Sequence, residues 1–172
     1  METIIIIVII AIALLVVRDR LAARRRHRKQ ILYELSRLGI SLQNTLEKIE
    51  KVKTTTSKIN NCSKALDIMD EALAYPEARE VIENIDELRL RVIKIKKVLP
   101  VIDYIEKANK HRFKKKGKSE LNCLLDALYE IGTNNITDED FRIAKFVPAD
   151  TKEMVTIQQI KTMAKELGWD EA

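Results

Sequence analysis

The first apolar block, residues 3–17, has no periodicity: fifteen positions pass without a charge, and seven Lys or Arg then fall between Arg18 and Lys29. A helix with no polar face has to be covered on every side. Positive charge after the block rather than before it is the reverse of a secretory signal. Fifteen helical residues reach about 22 Å against a hydrocarbon core of about 30 Å, and snorkelling by Arg18 and Arg20, with Leu21, Ala22 and Ala23 continuing the helix, narrows the gap. The expectation is a transmembrane anchor over residues 1–23, a basic arm and helical stalk over 24–62, and a helical domain over 63–172. The alternative for the block is an apolar helix buried in an oligomer.

From Ile31 the pattern becomes periodic. Ile31, Leu35, Leu38, Leu42, Thr45, Ile49, Val52, Thr56, Ile59, Ser63 and Leu66 step by four and three, the heptad spacing of a coiled-coil seam. The seam is good to Val52 and weakens where β-branched Thr54, Thr55 and Thr56 lower helix propensity. Two arrangements fit it: a homo-oligomer paired through residues 31–59, or a fold back onto the chain's own domain.

Farther on, Ala65, Leu66, Met69, Ala72 and Leu73 share one helix face. Pro76 suits the first turn of a helix carrying Val81, Ile82, Ile85, Leu88, Val92, Ile95 and Leu99. Its acids come first and its bases last, which complements the helix dipole. Pro100 marks another start, before Val101, Ile102, Ile105 and Ala108. Gly117 is expected at the C′ position that ends this helix, and Ser119 is expected to cap the next, which carries Leu121, Leu124, Leu125 and Leu128. Gly132 and Asn134-Asn135 break that helix, Thr137 with Asp140 starts a short turn, and Phe141, Ile143, Phe146 and Val147 are expected to lie on the core. Thr156-x-x-Gln159 has the capping-box form; Gly168 stops the helix it opens, and Trp169 docks back. With four Gly, three Pro and few aromatics, the fold class expected is all-α: anchor, heptad-like stalk, small helical domain.

Charge sharpens the reading of the ends. The formal charge of +5 lies in residues 1–30, with seven basic and two acidic side chains, while residues 31–172 hold 24 of each sign. Arg18, Arg20, Arg24, Arg25, Arg26, Arg28 and Lys29 are therefore expected to stay on the inner face of a membrane, against anionic headgroups. That orientation implies a single-pass cell-membrane protein with its N-terminus outside and its C-terminal domain cytoplasmic.

The stretch KANKHRFKKKGKSELNCLLDALYEI resembles a tetratricopeptide-type hairpin. Tyr104 with Ala108, and Leu124 with Ala127, match its aromatic, small and bulky positions; Glu120 stands where a small residue is expected, and Gly132 where Pro often closes the repeat. Ala65, Met69 and Ala72 repeat the second-helix pattern. The chain also resembles membrane-anchored bacterial helical proteins that end in a Gly-Trp helix. These resemblances imply a binding scaffold rather than chemistry.

Candidate chemistry is sparse. Gly39, Gly117, Gly132 and Gly168 stand singly, so no loop cradles phosphate. Cys62, Cys123, His27 and His111 lack metal-ligand spacing. No cofactor, metal or catalytic set is expected, and the chain is read as not an enzyme. The one cluster that stands out is Lys110, Arg112, Lys114, Lys115, Lys116 and Lys118. It reads either as a surface for an anionic partner or as a solvated helix end. Nucleic acid is the least favoured partner, because only Phe113 is placed to stack. The function expected is a membrane-tethered adaptor or scaffold for a protein partner; the alternative is a structural subunit that oligomerises through anchor and stalk.

Overall fold

A computed structural model describes the backbone of residues 2–144 and 156–169, with side chains from residue 17 onward within those ranges. The elements among them are helices: α1 (Glu2–Lys51), α2 (Thr55–Leu73), α3 (Ala78–Val81), α4 (Ile85–Phe113), α5 (Gly117–Thr133), α6 (Asp138–Ala144) and α7 (Ile157–Glu166).

The heptad stripe is buried within the chain. The chain turns at residues 52–54, α1 packs along α2 and touches α3, and Leu35, Leu38, Leu42, Thr45 and Ile49 are covered. A polar Thr45 is tolerated in this seam because its hydroxyl donates to the Ser41 carbonyl, 2.8 Å away in the same helix. The fold-back arrangement is thus the one observed. The face that would pair two copies through residues 31–59 is occupied at these five positions by the chain itself.

α4 is the central helix. It packs against α2, α5 and α6, while α7 adds to α5. Two sequence expectations change here. The helix expected from Pro76 is a single turn, α3, and Asn84 then takes a left-handed conformation (φ 54°) that redirects the chain into α4. Pro100 starts no helix; it lies inside α4, which runs unbroken past it. Val98, Leu99, Val101 and Ile102 are all buried, so packing on both sides holds the helix through a residue that cannot donate a backbone hydrogen bond.

Local capping chemistry is as the sequence suggests at two places. In the capping box of α7, the Gln159 N–H donates to Thr156 Oγ1 (3.2 Å) and the Thr156 N–H to Gln159 Oε1 (2.8 Å). Gly168 follows at φ 96°, and Trp169 packs half-buried against the core. At the start of α6, the N–H and hydroxyl of Thr137 both donate to Asp140 Oδ2, at 3.0 and 3.1 Å. Phe141 is buried; Phe146 and Val147 lie outside the described residues.

The structure corrects the expected anchor. Among the described residues no helix is long and apolar enough to cross a membrane. The uncharged run is fifteen residues, about 22 Å of helix against about 30 Å of hydrocarbon, and α1 carries charge at Arg18, Asp19 and Arg20 directly after it. The side chains of residues 3–16 lie outside the described residues. The single-pass cell-membrane location, the outside N-terminus and the cytoplasmic orientation rested on that anchor and lose their support with it.

Two stability effects follow. Pro100→Ala should raise stability by roughly 1–3 kcal/mol, because it restores a helical N–H and relieves the ring clash. Equal or lower stability in chemical denaturation would mean that the helix has fully adapted to the ring. Asp140 is the second case. Burial pushes its carboxyl up, but the two Thr137 hydrogen bonds and the Lys97 and Lys94 ammonium groups outweigh burial and hold it below the usual value of 3.8. Its contribution is therefore present above that value and lost as pH falls through the lower, folded value. Asp140→Asn should cost about 1–3 kcal/mol at neutral pH, and the gap to the parent should close in acid. A gap that does not change with pH would remove the electrostatic account.

Candidate functional site

The basic cluster is built by the way α4 ends. The Lys115 N–H donates to the Arg112 carbonyl (2.9 Å) and the Lys116 N–H to the His111 carbonyl (3.0 Å). This is a Schellman motif with Lys115 at C′ in the left-handed region, φ 54°. The position expected for Gly117 is therefore held by Lys115. Gly117 is instead the first residue of α5, next to Leu167 at the end of α7. Ser119 does not cap α5, which begins after Lys116 without a side-chain cap.

The six cluster residues do not act alike. Arg112 Nε donates to Glu120 Oε1 at 2.7 Å, and Glu120 is only 5% exposed. Arg112 is itself nearly half exposed, so removing it leaves one buried carboxylate without its partner at a cost of about 1–3 kcal/mol. Arg112 thus ties the end of α4 to the start of α5, a structural role that qualifies its place in the expected partner surface. Lys107, one turn earlier, is also engaged: it meets Asp103 at 2.7 Å, which raises its pKa, and lies over the Tyr104 ring. By contrast, Lys110, Lys114, Lys115, Lys116 and Lys118 are exposed and have no ion pair among the described residues. Phe113 projects beside them, 76% exposed.

Glu120 was read from sequence only as a misfit. Its spacing to Leu124, Ala127 and Ile131 would have placed it on the buried face of α5. Its partner, eight residues away across a turn, has no sequence signature.

The other basic set, Arg18, Arg20, Arg24, Arg25, Arg26, Arg28 and Lys29, lies exposed along α1. Arg28 stands 3.9 Å from Glu80 near α3, and Arg18 is 4.0 Å from Asp19. The membrane-surface reading of these residues depended on the anchor.

Neither cysteine thiol has the surroundings of an activated nucleophile. Burial pushes the Cys62 thiol up to about 11, against the pull of Lys96 and Lys58, and raises Cys123 as well. Both shifts run opposite to that of an activated nucleophile. No group of three or more His, Cys, Asp or Glu among the described residues is placed to hold a metal ion. A groove of about 470 Å³ opens between α1, α2, α4 and α6. Ile95, Leu99 and Ile102 line it together with charges of both signs, Lys53, Lys58 and Arg91 beside Glu50 and Glu106.

No protein family, curated protein or solved structure matches this chain. The tetratricopeptide resemblance gains nothing from the helices. α4 and α5 together run from Ile85 to Thr133, well beyond a repeat of about 34 residues.

A non-glycine residue in the left-handed region carries strain, so Lys115→Gly should stabilise the protein by roughly 0.5–1 kcal/mol. A loss of stability in thermal or chemical denaturation would show that the Lys115 side chain makes contacts worth more than the strain.

Proposed function

We propose that this chain is a non-catalytic helical binding module, an adaptor or scaffold that holds an acidic protein partner on the end formed by the α4–α5 turn. The observation that carries the reading is the density of exposed cations at one turn. Elsewhere cations are spread out: Arg79 pairs with Asp86, Arg89 with Asp70, Arg142 with Glu139, and Lys94 and Lys97 with Asp140, while Lys64 and Arg91 are exposed singly. At the turn, five exposed lysines crowd beside an exposed Phe113 and form no ion pair among the described residues. Clustered positive charge of this kind speeds encounter with an acidic surface and selects against basic ones. The alternative, a structural subunit that oligomerises through anchor and stalk, has less support, because the stalk's apolar seam is covered by the chain's own helices.

The test is binding of a fluorescent polyglutamate peptide by the full chain, followed by anisotropy at two ionic strengths. The parent should bind, more weakly in high salt. The variant carrying Lys114→Glu, Lys115→Glu and Lys116→Glu should keep its helix content and bind roughly threefold to a hundredfold more weakly, as expected for three exposed charges worth about 0.2–1 kcal/mol each. Equal binding by parent and variant would assign the lysines to a solvated helix end. A single-stranded oligonucleotide of matched charge that bound more tightly than polyglutamate would overturn the choice of a protein partner.

A further inference from the structure

Two segments at opposite ends of the helical bundle carry opposite charge. Residues 67–87 hold eight acidic side chains and one basic, whereas residues 107–118 hold seven basic and none acidic. The fold sets these segments far apart. Ile82, just before α4, lies against Gly39, about three-quarters of the way along α1, and α4 then passes the start of α2, where Thr55 bonds Asp103 at 3.3 Å. The last ten residues of α4 carry the basic turn beyond that point. The acids gather at the other end, on the last turns of α2, on α3 and on the first turn of α4.

Helix stability does not account for this segregation. Acids at the start of α4 and bases at its end complement its dipole. Asp70 and Glu71 in the last turn of α2, and Lys116 and Lys118 at the start of α5, stand against theirs. Internal pairing leaves much of the acidic end open. Asp70, Glu80 and Asp86 have cationic neighbours, but Asp67, Glu71, Glu83 and Glu87 are exposed without an ion pair among the described residues. The basic arm of α1 forms one ion pair with this end among the described residues, through Arg28.

We propose that the acidic partner of the α4–α5 turn is the α2–α3–α4 end of a second copy, so that chains associate head to tail. This rests on the reading of the turn as a docking surface for an acidic protein. The two patches are different surfaces of one molecule, so the contact is heterologous and leaves a free end of each sign at every step. It produces open chains whose length depends on concentration and salt, not a closed dimer.

The test is sedimentation of the full chain over a range of concentrations at low and high ionic strength. At low ionic strength the weight-average mass should rise about twofold or more with concentration, and it should fall back in high salt. Lys114→Glu, Lys115→Glu and Lys116→Glu together should abolish the rise, as should Glu71→Lys, Glu83→Lys and Glu87→Lys together. Mixing the two variants should restore it, because each then offers what the other lacks. Restoration by mixing also answers a folding objection, since misfolded variants would not complement each other. Association that is equal at both ionic strengths, or that survives either reversal alone, overturns the proposal. A parent that binds polyglutamate yet keeps a constant mass overturns head-to-tail association and leaves the acidic-partner reading standing. A parent that does neither removes both.

Discussion

Four buried residues flank Pro100, and the rest of the molecule is arranged around them. Val98, Leu99, Val101 and Ile102 leave α4 without a polar face for more than a turn, so it needs neighbours on opposite sides. α2, α5 and α6 supply them; α1 then adds to α2 and α7 to α5. Magnitudes explain why the proline survives. A proline inside a helix costs about 3 kcal/mol. Full burial of one Val, Leu or Ile side chain contributes about 1.5–3 kcal/mol, and four such side chains surround this one. Tertiary packing decides the local conformation here, against the preference of the residue itself.

The same competition explains what the sequence did and did not reveal. The seam through Leu35, Leu38 and Leu42 was legible, because a repeat of four and three has one physical meaning: a buried helix face. Its partner was not legible, because the stripe has the same form whether another copy or the chain's own α2 covers it. The Thr156–Gln159 box and the Thr137–Asp140 turn were legible because donor and acceptor lie three residues apart, within reach of local geometry alone. Pro100 and Gly117 were misplaced because their usual roles at helix ends were assigned without knowing where packing would end the helices. At Lys115, a lysine occupies the site where glycine would be relaxed, so the sequence carries no marker for it.

The candidate site was legible in composition and not in detail. Counting cations finds residues 107–118, but it does not separate Arg112, tied to a buried carboxylate, from five lysines that face solvent. That separation needs the fold, since Glu120 reaches Arg112 only because α5 turns back on α4. It also changes what the cluster is. The Arg112–Glu120 pair adds a side-chain tie across the turn to the backbone bonds that close it. With the pair, the lysines project from a fixed frame.

A fixed frame matters for a surface made of lysines. Each long side chain loses rotamer freedom when it is immobilised, at a cost of about 0.5–1.5 kcal/mol, and each exposed ion pair returns only about 0.2–1 kcal/mol. Lysines on a mobile loop would carry a backbone ordering cost as well. Here that ordering is already present: the Schellman bonds hold residues 114–116, the Arg112–Glu120 pair joins the two helices, and Leu167 backs the turn at Gly117. What the proposed partner would order is then limited to side chains. Phe113, exposed at the same turn, adds apolar contact to a surface that would otherwise depend on charge alone. The strain at Lys115 fits the same logic, because a charge kept in a conformation better suited to glycine weakens the fold while adding to the positive field at the turn.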